Sequence, residues 1–243
     1  MSERLRPFFP FYGSKWRSIP KYPAPLFPRI VESFAGSASY SVTYPDRDVT
    51  LCDRDPVICG VWRYLISVTP TEILAIPDIR EHVDEISRWP QETRWLVGFW
   101  LNKGSAVPSA QHSAWSRTGL YPNQFWGQKV RERLAAQVPL IRHWKIVEGS
   151  YESLSMVPGT THFVDPPYST PPGRRYRGGQ TGIDYTALAA WCRSRQGQVI
   201  ACAQVGEDWL PFRPFLVTKA NHATAWSHEA IWTGDENRRT TLF

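Results

Sequence analysis

No two cysteines stand at the spacing of a metal-binding pair. Cys52, Cys59, Cys192 and Cys202 are scattered and no CxxC occurs, so a zinc ribbon has no ligand set, and the expectation is that no metal is bound. The four are read as reduced core residues. Long apolar runs are missing too. None approaches the ~20 residues a membrane helix requires, and the opening MSERLRPFFPF holds no apolar stretch of signal-peptide type. The chain is expected to be soluble, cytoplasmic and without a membrane partner. Acids are in the minority, 22 Asp and Glu against 28 Lys and Arg, for a net charge of +6. That balance favours a polyanionic partner without identifying one. No internal repeat or low-complexity tract is visible. What the chain has is apolar content, 42% of residues, and aromatics, with 12 Trp, 10 Tyr and 11 Phe. The first suffices for a sizeable core; the second can fill cores or stack on bases.

The order of patterns indicates an α/β sheet. Residues 1–29 are rich in Pro and aromatics and show little periodicity. Residues 30–34 read as a short strand ending in the small-residue turn 35–39, and 49–53 as a second strand ending in an acid. A helix is expected from Asp55, with Pro56 in its first turn. Helical patterns then dominate, over 71–88, 91–102 and 123–143. Asn123 is a plausible cap for the last, and Pro139 is expected to kink it or end it early. The polar stretch 103–122 is too long for an ordinary connection. Strands return at 144–147, 161–165 and 198–203, with a helix at 184–195 before the last. Strands alternating with helices imply a mainly parallel sheet. The expected division is a catalytic domain of residues 1–62 and 144–243, with 63–143 inserted between.

In open α/β sheets, ligands bind beyond the carboxyl ends of the strands. Three polar motifs fall there. Phe34-Ala35-Gly36-Ser37 is a strand-to-helix turn of small residues that lets a ligand approach the backbone. A tight turn without a ligand would have the same composition. Asp53 ends the second strand, where an acid can accept from ribose hydroxyls. It can equally cap the helix after it, and Asp53 and Asp55 are interchangeable in these two roles. The sharpest motif is Asp165-Pro166-Pro167-Tyr168. Two prolines stiffen the backbone after the acid, and an aromatic ring follows. Acceptors for an exocyclic amine beside a stacking face suit a flipped planar base.

Taken together, these segments resemble the Dam-type N6-adenine DNA methyltransferases, and within them the phage-encoded members. Residues 7–15 (PFFPFYGSK) are similar to the N-terminal cofactor motif, 30–37 (IVESFAGS) to the first-strand motif, 51–55 (LCDRD) to the second-strand acidic motif, 148–151 (EGSY) to the segment before the catalytic strand, and 165–168 to the DPPY motif. Ser14, Ser33 and Ala38 depart from the family pattern, Ala38 by replacing the second glycine of the turn. The resemblance implies a Rossmann-like S-adenosylmethionine-dependent methyltransferase sheet with an inserted, mostly helical target-recognition domain, acting on double-stranded DNA in a bacterial or phage-infected cytoplasm. It implies that Tyr12, Gly13, Lys15, Phe34, Ala35, Gly36, Ser37, Asp53, Tyr151 and Asp165 meet S-adenosylmethionine, and that Asp165, Pro166, Pro167 and Tyr168 receive the base.

Lys103, His112, Arg117, Lys129, Arg131 and Arg133 in the insertion offer phosphate or guanine contacts. Arg174, Arg175 and Arg177 form a basic, glycine-flanked segment suited to DNA phosphates. Each of these charges is also what a solvated surface would carry. Two rival functions stay open: transfer to RNA or to another exocyclic amine, and a catalytically silent nucleic-acid-binding protein of the same fold.

Overall fold

The computed structural model describes residues 4–118, 124–169, 182–219 and 226–234. In its sheet β1 (Arg29–Glu32) lies parallel to β2 (Asp48–Asp53) on one side and to β4 (Thr160–Val164) on the other. β3 (Lys145–Glu148) extends the sheet beyond β2, and β5 (Gly197–Gln204) extends it beyond β4, both in parallel. An antiparallel hairpin of β6 (Arg213–Lys219) and β7 (Trp226–Thr233) completes seven strands in the order β3-β2-β1-β4-β5-β7-β6. All five residues of β4 and six consecutive residues of β5 are buried. Such unbroken burial is what a parallel sheet covered on both faces imposes. At the start of β5, a Cβ on Gly197 would lie 2.0 Å from the Thr160 carbonyl oxygen. Only glycine lets the two strands meet there.

The chain winds from β1 outward to β3, then returns to the centre at β4 and winds the other way. The order therefore reverses between β1 and β4. In sheets of this kind the crevice beyond the strand ends at the reversal is the place for ligands.

α1 (Pro56–Ser67) begins as the sequence indicates. Asp55 is its cap, its carboxylate accepting from the Val57 amide at 2.9 Å, and Pro56 sits in the first turn. The single helix expected over 71–88 is instead α2 (Pro70–Ala75) and a separate 3₁₀ turn at Val83–Ile86. The break has a local cause. Ile76 precedes Pro77, and the proline ring drives the residue before it out of the helical region; Ile76 is extended, with ψ 123°. α3 (Gln91–Leu101) matches its expectation. The helix expected over 123–143 is shorter: α4 (Gln128–Gln137) passes into a 3₁₀ turn at Val138–Ile141 that contains Pro139. Gly127 stands at its cap position, and Asn123 lies outside the described residues. α5 (Tyr185–Ser194) is capped by Asp184, which accepts from the amides of Thr186 and Ala187.

The expected boundary at 62/63 falls inside α1, which runs unbroken to Ser67. The reason is packing. Trp62 is fully buried against Phe8, Phe9 and Trp144, and Phe9 stacks on Phe99 of α3 at 4.9 Å. Side chains of the N-terminal segment, the sheet and α1–α4 thus join one hydrophobic core. All four cysteines are buried and free. Among the described residues, no helix is long and apolar enough to cross a membrane.

Candidate active site

Both strands at the reversal end in chemistry. After β1, the turn folds back on the end of β2: Ala35 N–H donates to the Cys52 carbonyl at 2.9 Å, and Gly36 N–H donates to Asp53 Oδ2 at 2.9 Å. Gly36 has φ +45°, and a Cβ there would meet the Phe11 ring at 3.0 Å. Glycine satisfies both demands. Ala38 also has positive φ, 51°. It is a conformation that glycine adopts freely and that strains any residue with a Cβ. The carbonyl of Gly36 accepts from the Trp62 indole at 2.8 Å, which ties the turn to α1.

The two acids left interchangeable by the sequence are separated here. Asp55 caps α1. Asp53 accepts from Gly36 through Oδ2 and from the Asp55 amide through Oδ1, each at 2.9 Å. Burial raises its pKa to about 6, although these backbone donors pull the other way. A carboxylate has about four acceptor positions, so two amides leave capacity for a ligand.

After β4, Asp165 sits in an ionic cluster that joins distant parts of the chain. Lys15, 7% exposed, approaches Asp165 Oδ1 at 3.0 Å and donates to the Tyr168 hydroxyl at 2.6 Å. Glu229 of β7 stands 4.0 Å from the same ammonium and accepts from the Tyr22 hydroxyl at 2.5 Å. Burial opposes a charged lysine, but Asp165, Tyr168 and Glu229 outweigh it and hold the Lys15 pKa well above its ordinary value. Burial likewise raises the pKa of Asp165, opposed by Lys15. The Tyr185 hydroxyl donates to the Pro167 carbonyl at 2.6 Å, so α5 buttresses the proline pair.

The two strand ends share a cavity of about 340 Å³, within the range of small-molecule sites. Of the residues singled out from sequence, Tyr12, Gly13, Phe34, Ala35, Gly36, Ser37, Asp53, Tyr151, Asp165 and Pro167 line it. Lys15, Pro166 and Tyr168 do not; Lys15 reaches the site by holding Asp165 and Tyr168. Lys103 lies beside a second, more polar cavity that shares Tyr12 and Ala106 with the first. Arg117 lies on a short 3₁₀ turn and Lys129 on α4, both exposed and away from the lining. Arg174, Arg175 and Arg177 lie outside the described residues.

Sequence reasoning missed four contributors. Glu32, 2% exposed, lines the cavity; it accepts from the Ser41 amide at 2.5 Å, and burial raises its pKa to about 7. An acid closing the apolar run Ile30-Val31 was the available signal. Arg54 donates to the Gly182 carbonyl and to Ser150 Oγ, joining two segments of the rim. Glu229 and Tyr22 meet across 207 positions, which no local pattern announces. Among the described residues, no group of three or more His, Cys, Asp or Glu is placed to hold a metal ion.

No protein-family model matches the chain, and no curated protein matches it in sequence. Among solved structures it is similar to a conserved hypothetical protein of Streptococcus pyogenes. That likeness covers 91% of this chain and 93% of the other at 10% identity, with a TM-score of 0.39.

Proposed function

We propose that the protein is an S-adenosylmethionine-dependent DNA methyltransferase acting on N6 of adenine. The observation that carries this reading is the convergence of two motifs from distant parts of the sequence. The Phe34–Ser37 turn and Asp165-Pro166-Pro167-Tyr168 follow adjacent strands at the sheet's reversal, and both contribute to one cavity together with Asp53. The motifs that resemble the adenine methyltransferases are therefore neighbours in space.

The lining fits the methyl donor. The turn offers close backbone approach at Gly36, Asp53 offers acceptor positions for ribose hydroxyls, and Phe34 and Tyr151 offer aromatic surface. When bound, S-adenosylmethionine supplies an electrophilic methyl group on a sulfonium. The protein's task is to make the adenine amine a better nucleophile and to aim it. Asp165 and a carbonyl of the proline pair accept the amine's hydrogens, which raises electron density on nitrogen and fixes its direction. The Pro167 carbonyl already accepts from Tyr185 and keeps a second lone pair, so either carbonyl of the pair can take this role. Lys15 meets Oδ1 of Asp165, and Oδ2 takes the amine. Burial raises the Asp165 pKa, and Lys15 opposes that shift by favouring the carboxylate. Tyr168, held through its hydroxyl by Lys15, stacks on the base. Extruding that base costs a few kcal/mol, which its contacts in the pocket offset.

The test is direct. The protein is incubated with radiolabelled S-adenosylmethionine and duplex DNA, and the product is digested to nucleosides. Label in N6-methyl-2′-deoxyadenosine supports the reading. Label in a cytosine product, or in RNA in preference to duplex DNA, replaces it with another amine-methyltransferase reading. No incorporation, with cofactor and DNA both bound, leaves a silent binding protein.

A further inference from the structure

One face beside the cavity carries several cations and no acid to answer them. Arg133 of α4 lies over Trp100 at 5.0 Å from the ring centroid, and Lys103 stands 6.0 Å from the same ring. Lys103 is also 5.7 Å from Phe125, which meets the half-exposed Trp115 edge to face at 5.5 Å. Rings and cations thus alternate along a row. Among the described residues, Arg133, Lys103, Arg17 and Arg6 have no carboxylate within ion-pair distance. Arg133 Nε is buried with no hydrogen-bond partner, and its Nη2 has only a long bond, 3.4 Å, to the Pro7 carbonyl.

The cations also oppose one another. Burial lowers the pKa of Arg133 to about 10, and Arg6 adds to the effect; burial lowers that of Lys103, and Arg133 and Arg17 add to it. Gathering like charges over one indole costs stability unless an anion joins them. The location indicates which anion. Lys103 lines the second cavity, which adjoins the proposed catalytic cavity and shares Tyr12 and Ala106 with it.

We propose that the row of Arg133, Trp100, Lys103 and Phe125, with Arg17 and Arg6 at its margin, is the track that holds the phosphodiester backbone of duplex DNA while a base enters the site. The inference rests on the methyltransferase reading and adds the surface by which the substrate is gripped. Guanidinium and ammonium groups take the phosphate oxygens; the buried Trp100 and Phe125 rings hold Arg133 and Lys103 in place, and the half-exposed Trp115 beside Phe125 offers a ring to sugar or an extruded base.

The experiment is a salt titration of binding. Fluorescence anisotropy of a labelled duplex is followed from about 50 to about 200 mM salt for the wild type, Lys103→Gln, Arg133→Gln and the double variant. Removing one cation from a phosphate lowers the slope of log K against log salt by about 0.9, so the double variant falls by about 1.8. Lys103→Arg retains the slope. Arg133 is partly buried, and if its variant does not fold, Lys103→Gln alone decides. A wild type that binds duplex, with variants of unchanged slope, overturns the track and leaves the methyltransferase reading standing. A wild type that binds no duplex at low salt overturns both. Tighter binding of single-stranded RNA with the same fall in slope overturns the assignment to duplex DNA. Competition by millimolar inorganic phosphate, without salt-dependent duplex binding, overturns it in favour of a free-phosphate site.

Discussion

If Asp53 holds the ribose as proposed, it links cofactor binding to pH, and the link can be worked out in sign and size. Its two oxygens each accept a backbone amide at 2.9 Å, and burial holds its pKa at about 6. Above that pH the carboxylate keeps both amides and still has a lone pair for a ribose hydroxyl. Below it, the protonated acid loses acceptor capacity. A hydrogen bond to a charged group contributes about 1.5–3 kcal/mol, which corresponds to roughly 10- to 150-fold in affinity. Titration calorimetry with S-adenosylhomocysteine should therefore show binding that is strong at pH 7.5 and weakens by that factor as pH falls through about 6. Asp53→Asn should bind weakly and show no such step. Stability of the unliganded protein should run the other way. The folded-state pKa lies above the ordinary value of 3.8, so folding favours the acid form. That contribution is fully present below about 3.8 and lost as pH rises through about 6. If Asp53→Asn kept wild-type affinity and its step near pH 6, or if Asp55→Ala weakened binding instead, the assignment of the ribose acid would be wrong.

Three further outcomes follow from the packing. Lys15→Met should destabilise the protein by about 3–5 kcal/mol in urea unfolding, because it leaves Asp165 and Glu229 buried without their cation. The same variant should raise the Asp165 pKa further, moving the acid limb of the methyl-transfer pH profile upward. Gly197→Ala should cost about 3 kcal/mol or more, since its Cβ would lie 2.0 Å from a backbone oxygen of β4. A change in midpoint below about 1 kcal/mol would show that β4 and β5 separate more easily than described. Ala38→Gly should gain about 0.5–1 kcal/mol, because relief of its positive φ of 51° exceeds the entropy that glycine adds to the unfolded chain. A loss of stability would mean that the fully buried methyl group matters more than the backbone.

Much of the sheet that frames the candidate site was legible because its signals are local. Apolar runs ending in small or acidic residues marked β1, β2 and β4, and Asp55-Pro56 marked the start of α1. The reading went wrong where neighbouring signals competed. Periodicity over 71–88 outweighed Pro77 in the sequence, whereas in the chain Pro77 wins and α2 stops at Ala75. The β6–β7 hairpin was missed altogether. β6 is an edge strand interrupted by Pro214 and a register shift, a place where proline is tolerated but where the strand pattern is erased. In the site, the motif residues could be named but not their support. The Lys15–Asp165 pair is 150 positions apart and the Tyr22–Glu229 pair 207. Only the closing of the sheet brings these groups together, and their protonation depends on burial that no local pattern encodes.

The most direct test of the central claim compares wild type with Asp165→Ala under single-turnover conditions, measuring methyl transfer to duplex DNA beside binding of duplex and of S-adenosylhomocysteine. In the proposed function Asp165 acts on the amine, whereas phosphate contacts supply most of the DNA affinity. The account predicts that the variant stays folded, binds duplex with largely retained affinity and forms no N6-methyladenine. Near-normal formation of N6-methyladenine by Asp165→Ala would contradict it.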